Sequence, residues 1–501
     1  MKQLKNAISK AQNRLGIKLL LMSLVSIGQV TATKAFTETD TKAISVYTEL
    51  QEDEASQSHT DSAKPLEQRI SELEETITEL KKKSAEQALA TSQQLGDEKT
   101  LANKVPQNKI NSESPNGDAK WNVKLGGHVQ IDYINWANAS PTIPDTQDFF
   151  EFRRLRLVAD GTGYEVLDFR LQMTLEPETI GETTPLGIVT SPDVKDAYFS
   201  VNEIPLFGRF RIGNFFVPFS LEQVTNDTNN LFLERSIPTQ GVFAPDRELG
   251  MAFYNCSTDK NATISYGIFV DSLSEGLKDK IDDNQGMRLS GRATWLPYYD
   301  EASKGRYLWF TGMGILHTED GDGRTRFRAR PQIHEGPRII DSGLVLADSY
   351  TTGNVETALV LGPLSLQSEA FLSSVDRTVQ DDATIGGAYV HASFFLTGEN
   401  RIFERFGQHG AQFARNVPSR NLFGRGGSYG PGAWEFKTRW SYLDINNLDR
   451  GQYNDLTVGF NWYWTDRTRI MFDWIHPLTT TDAIFGATNS DILGIRFDFN
   501  W

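Results

Sequence analysis

From residue 120 to residue 501, apolar side chains recur at every second position while many of the intervening positions carry charge, and few folds tolerate that pattern over such a length. Trp121, Val123, Leu125, Val129, Ile131 and Tyr133 share one face, opposite Asn122, Lys124, His128, Gln130 and Asp132. Leu167, Phe169, Leu171 and Met173 oppose Asp168, Arg170 and Gln172, and Met287, Leu289, Ala293 and Trp295 oppose Arg288, Ser290, Arg292 and Thr294. Trp434, Phe436 and Trp440 oppose Glu435, Lys437 and Arg439; in the last stretch Leu493, Ile495, Phe497, Phe499 and Trp501 oppose Gly494, Arg496 and Asp498. A soluble sandwich turns its charges to bulk water and seldom reaches this size in one sheet system. A barrel in a bilayer turns the apolar face to lipid and the charged face to a wet lumen, and pairing the last strand with the first removes the open edge. The expected fold is therefore all-β, a transmembrane antiparallel β-barrel over 120–501. At about 24 residues per strand with its share of connection, about sixteen strands fit, within a range of fourteen to eighteen.

The remainder of the chain reads differently. Mean hydropathy is −0.41, and after the N-terminus no apolar run reaches the roughly 18 residues that a spanning helix needs. Residues 1–35 carry Lys2, Lys5, Lys10, Arg14 and Lys18 before an apolar run at 19–27 and small residues near Ala32 and Ala35, the pattern of a secretory signal peptide. Cys256 is the only cysteine, so no intramolecular disulfide forms and closure of the barrel must supply stability. Residues 36–119 are polar and poor in aromatics, expected as a flexible periplasmic segment. Within it Leu66, Ile70, Leu73, Ile77 and Leu80 form an a/d seam, a short coiled coil around 66–84 that a trimeric barrel would stabilise by tethering. A solitary helix in a linker is the alternative.

Arginine at the lipid midplane costs about 2–4 kcal/mol, so arginines fix the facing of each strand. Between residues 149 and 160, Leu155, Leu157 and Ala159 mark the outer face, which sends Arg154 and Arg156 into the lumen and leaves the adjacent Arg153 at a membrane rim. The same argument points Arg170, Arg288 and Lys437 inward. Arg324, Arg326, Arg328 and Arg330 stand at every second position between glycines and Pro331, a ladder suited to a lumen or entrance that gathers anions, or to a solvated outer loop. The histidines show no metal-ligand spacing such as H-E-x-x-H, and no glycine-rich phosphate loop precedes a helix. His128 and His391 fall on lumen faces as wall residues. We expect no catalysis, no cofactor, no resident metal and no nucleic-acid partner.

The segments FEFRRLRL (150–157), DAYF (196–199), RIGNFFVPFSLE (211–222), LERS (233–236) and FAPDRELG (243–250) resemble the phosphate-selective porin O and P family of bacterial outer membranes. So do SGRATWLP (290–297), QSE (367–369), SFFLTGE (393–399), WEFKTRWS (434–441) and GFNWY (459–463), in order along the chain. The resemblance implies a trimeric sixteen-stranded pore lined by cations, with Arg154, Arg156, Arg211, Arg292 and Arg439 at matching positions. Where the family commonly carries a Lys-Glu pair, Phe216 and Val217 stand instead. The chain is also acidic, with a net charge of −15, and Asp168, Glu369 and Glu435 are candidate lumen acids. The expected function is passive diffusion of small solutes across the outer membrane, anion-preferring, with phosphate or polyphosphate as cargo by resemblance. A general or weakly cation-selective porin is the alternative, and a structural tether through the coiled coil is another.

Overall fold

The computed structural model describes residues 109–113, 119–139, 141, 143–176, 193–270, 286–424, 429–481 and 490–501. The signal-peptide segment, the linker and the heptads at 66–84 lie outside the described residues.

Sixteen strands form a closed antiparallel ring. They are β1 (Ala119–Ala137), β2 (Phe149–Gly163), β3 (Leu167–Thr174), β4 (Asp193–Ile204), β5 (Gly208–Phe216) and β6 (Arg247–Cys256). Next come β7 (Ala262–Phe269), β8 (Met287–Tyr299), β9 (Tyr307–Glu319), β10 (Val345–Leu361), β11 (Leu364–Arg377) and β12 (Ala383–Phe395). The ring is completed by β13 (Ala433–Asp444), β14 (Gln452–Tyr463), β15 (Thr468–Thr481) and β16 (Asp491–Asn500). Each strand pairs with its sequence neighbour, and β16 returns to β1 with His128 opposite Asn500 and Ala137 opposite Asp491. A further short strand, Lys109–Glu113, pairs with the start of β1. The expected strand count holds.

The seam has a local steric solution. Trp501 donates its backbone N–H to the Gly127 carbonyl at 3.1 Å, and its ring lies where a Cβ on residue 127 would stand. Only glycine leaves that space.

Polarity is inverted relative to a soluble protein, as the alternation requires. Leu125, Trp295 and Met313 are 53%, 56% and 63% exposed, whereas Arg211, Arg439 and Arg496 are each 1% exposed. One strand departs from strict alternation. Gln130 opposes Arg154 while the next residue, Ile131, opposes Phe152, so Arg153 is the extra residue of a β-bulge. The bulge turns both adjacent arginines inward. Arg153 is buried against Glu234 rather than placed at a membrane rim, and Phe150 and Phe152 keep the outer face. Strict period-two reading fails there because a bulge adds one residue to one side only.

One end of the barrel carries short turns such as 164–166, 205–207 and 362–363; the other carries longer loops, among them 217–246 and 320–344. Both of these fold into the lumen, where Phe215, Val217, Phe243, Phe327, Ile340 and Phe371 belong to one apolar cluster against the inner wall. The connection 396–432 breaks the rule of short turns. Its hairpin, Phe403–Gly407 with Gly410–Phe413, enters from the short-turn end and packs Phe403 and Phe413 on Leu221, Phe310 and Val360.

Candidate solute pathway

The loop 217–246 is fixed at both faces of a single helical turn, α1 (Leu221–Val224). The free N–H groups of Leu221 and Glu222 donate to the two carboxylate oxygens of Glu369 on β11, at 3.1 and 2.7 Å. Arg235 donates to the carbonyls of Glu222, Gln223 and Thr225 at the other end, at 3.0–3.1 Å. Glu222 accepts from the Ser236 hydroxyl at 2.6 Å and from Arg439 at 3.2 Å, which closes the loop on itself and on β13.

The lumen cations expected from facing and from the family resemblance are inside the barrel, and half of them hold this loop. Arg154 and Arg156 both reach Asp227, at 2.9 and 2.6 Å. Lys437 donates to the Leu231 carbonyl at 2.8 Å and pairs with Asp473 at 2.6 Å. Arg439 donates to the Glu234 carbonyl at 3.0 Å and also bonds Gln332 of the second inward loop. The remaining positions have other partners. Arg170 pairs with Asp160 at 3.1 Å and Asp196 at 3.4 Å, Arg292 with Glu356 at 2.8 Å, and Arg288 with Glu248. Arg211 has no carboxylate partner among the described residues; its guanidinium lies 4.0 Å from the Tyr198 ring centre, a cation–π contact in a buried setting. His128, His391, Glu369 and Glu435 are buried on the inner face, as the alternation places them.

Arg153, expected at a membrane rim, and Arg247, Arg469 and Arg496, not singled out as pore-lining cations, are also buried inside, with the acids that answer them. Arg496 was legible, because it lies opposite Leu493, Ile495 and Phe497; Arg247 opens β6, and the loop acids Asp227 and Glu234 sit where no period exists. Glu234 is the centre of a buried group. It accepts from Arg153 Nε at 2.6 Å and from Arg496 at 2.9 Å, and Arg496 in turn holds Asp132 with two bonds of 2.6 Å. Burial opposes the charge on Asp227 and Glu234. The arginines around them outweigh it and hold both carboxyls well below their usual range.

Between these contacts and the long-loop end lies a cavity of about 570 Å³. Its wall carries eight cations, Arg153, Arg154, Arg156, Lys195, Arg235, Arg247, Arg288 and Arg326. Six carboxylates share it: Glu176, Asp193, Asp227, Glu234, Asp246 and Glu248. The balance is positive, in a chain whose net charge is −15. Phe216, at the departure from the expected Lys-Glu pair, lines up under Arg247 with its ring centre 3.9 Å from the guanidinium carbon.

The arginine ladder is extended, in two short pieces. Arg324–Thr325 pairs with the start of β10 and Arg328–Ala329 pairs with Ile340–Asp341. Phe327 and Ala329 are buried, which turns Arg324, Arg326 and Arg328 outward. Arg326 pairs with Asp341 at 2.7 Å and borders the cavity, while Arg330 donates to the Gly336 carbonyl at 2.9 Å. Partial burial and the like charges of Arg330 and Arg328 push Arg338 down to about 10.

A closed barrel with an apolar outer belt, a polar lumen and a loop folded across it defines a bacterial outer-membrane channel. The chain belongs to the phosphate-selective porin O and P family, whose profile matches residues 123–501. It is 27% identical over 352 residues to an uncharacterized protein of Caulobacter vibrioides, covering 67% of this chain and 63% of that one. To Porin O of Pseudomonas aeruginosa it is 23% identical over 418 residues, covering 75% and 86% of the two chains. Among solved structures, the anion-selective porin from Comamonas acidovorans superimposes with TM-score 0.47 and 12% identity over 76% of this chain and all of that one. The outer-membrane channel DcaP of Acinetobacter baumannii gives 0.46 and 11% over 78% of this chain and all of that one.

Proposed function

We propose that this channel is an anion-preferring diffusion porin for phosphate-class solutes. The observation that carries the reading is the vestibule, where eight cations face six carboxylates in a confined volume. Fixed positive charge beside a low-dielectric wall raises the local concentration of anions and lowers that of cations. Guanidinium forks suit phosphate oxygens, and a shared set of sites lets the ion leave again. Arg324, Arg326 and Arg328 stand at the long-loop end as a collecting row, and Arg154, Arg156, Arg288 and Arg247 continue it inward. Longer loops face the exterior in such barrels, so the ladder is the outer entrance and the segment 36–119 is periplasmic. A homotrimer in outer-membrane lipid fits the family and would bring the heptads at 66–84 of three chains together. The leader at 1–35 is the export signal of that route.

The alternative, a general or weakly cation-selective pore, draws support from the acids deeper in the lumen, where Glu356, Glu369 and Glu435 are buried. The zero-current potential of the purified protein in a planar bilayer under a salt gradient separates the two. An anion-selective potential with saturable phosphate block of the chloride current is the expected result. A near-zero or cation-selective potential without block overturns the phosphate reading.

A further inference from the structure

A second chemistry sits at the rim of the vestibule, where the loop 320–344 meets the wall. His334 Nδ1 lies 2.8 Å from Glu151 Oε2 of β2 and 3.7 Å from Glu335 Oε1 of its own loop. One donor atom from each of the three residues falls within 4.8 Å of the others. Glu151 has a side chain only 8% exposed, and its Oε1 is buried with no hydrogen-bond donor. A buried carboxylate oxygen without a donor is unfavourable, and the hydrogen bond to His334 satisfies only the other oxygen. His334 keeps 22% of its side chain exposed and lines the cavity, so the group opens to water on one side.

We propose that Glu151, His334 and Glu335 form a divalent metal site of the zinc class. Metal–nitrogen and metal–oxygen bonds of about 2.0–2.2 Å in a tetrahedron place donor atoms about 3.3–3.6 Å apart. The observed 2.8 and 3.7 Å separations bracket that range, so small rotations of the side chains complete the set. One imidazole with two carboxylates selects a borderline ion over calcium or magnesium, which take oxygen ligands alone. Three protein ligands leave a fourth position, and the cavity side of His334 is where water or a solute oxygen would occupy it. The ion joins two parts of the chain that are 183 residues apart, so binding it is binding the loop to the wall. Sequence spacing hides such a site because Glu151 comes from a strand and its partners from a distant loop.

The surroundings set the strength. Arg153, Arg154 and Arg496 lie near Glu151 and oppose an incoming cation, whereas Glu234 favours it. Arg330 lies 3.4 Å from Glu335 Oε2, the oxygen not turned toward His334, and its charge also opposes an incoming cation. A micromolar rather than nanomolar site follows from this balance.

The test uses the full-length refolded protein in detergent, in phosphate-free and chelator-free buffer, titrated with Zn²⁺ alone by calorimetry and with Co²⁺ by visible absorption. One Zn²⁺ per chain with micromolar affinity is expected, with Co²⁺ bands of a low-symmetry four-coordinate site. His334→Ala and Glu335→Gln should each weaken binding at least about tenfold and abolish the bands. Binding unchanged in both variants, or none up to millimolar Zn²⁺, overturns the proposal. Should His334→Ala fail to fold, diethyl pyrocarbonate labelling of the native chain decides: Zn²⁺ is expected to protect His334, and equal labelling with and without Zn²⁺ overturns the site. Neither readout depends on which solute the channel carries.

Discussion

Replacing Glu234 by Gln removes one charge and little volume from the place where β1, β2, β16 and the inward loop meet. In the native chain Glu234 accepts two bonds from Arg153, at 2.6 and 3.0 Å, one from Arg496 at 2.9 Å and one from Gln240 at 3.2 Å. Arg496 retains Asp132 after the change. Arg153 has no second ion pair among the described residues, so its guanidinium is left buried without its counter-charge. Removing one member of a buried pair costs about 3–5 kcal/mol in a dry interior. The adjacent cavity lets water reach Arg153, which puts the expected loss at about 3 kcal/mol, near a hundredfold in the equilibrium between docked and released loop. The same substitution makes the vestibule one unit more positive. A unit charge about 4 Å from a passing ion in water is worth about 1 kcal/mol, close to a fivefold change in occupancy at low salt. Single-channel recording with the zero-current potential reads both effects: noisier open-channel current, and a shift toward anion selectivity that fades as salt rises. The double variant Arg153→Gln/Glu234→Gln should restore quiet current. Quiet current and unchanged selectivity in Glu234→Gln alone would refute the argument.

Three further outcomes are expected. Reversing the outer row with Arg324→Glu and Arg328→Glu should lower the on-rate of phosphate block by about tenfold at low ionic strength and little at high, because exposed charges steer through a screened field; heat-modifiable gel mobility should stay normal. Gly127→Ala places a methyl group in the Trp501 ring and the Arg156 carbonyl, so the fraction of folded, heat-modifiable barrel should fall; Trp501→Ala in the same chain should recover part of it. The arginines hold Asp227 and Glu234 well below ordinary carboxylate values of about 3.9–4.3, so their contribution to loop docking is present above that range and lost only as pH falls through the depressed values. Open-channel noise should therefore remain at its neutral level at about pH 6 and rise as pH falls below the ordinary carboxylate values of about 3.9–4.3 toward the depressed ones.

What the sequence discloses follows from which interactions are periodic. Facing is periodic: Leu155 and Leu157 outside, Arg154 and Arg156 inside, and Phe497 against Arg496 are all read from alternation, while the number of strands follows from the length of the alternating region. Arg153 escapes because a bulge shifts the period by one. The identity of the loop that folds into the lumen, 217–246, also escapes. Its anchors, Glu369 under α1 and Asp473 against the Leu233 N–H at 2.9 Å, join residues 148 and 240 positions apart. Nothing local marks Asp227 as the counter-charge for two wall arginines, so a lumen that reads as a row of bare cations is in fact largely neutralised. A positive excess remains in the cavity, where eight cations outnumber six carboxylates.

Glu234 also orders events in time. The pocket that receives it consists of Arg153 from β2 and of Arg496, which is held in place by Asp132 across the junction of the last strand with the first. Until those two strands meet, half of the pocket does not exist. Glu369, Lys437 and Arg439 hold the same loop from strands away from the seam, so closure of the ring adds the Arg496 half of the Glu234 anchor to a loop that is already tethered. The seam thus carries two duties at once: it removes the open edge of the sheet, and it completes the socket that Glu234 fills.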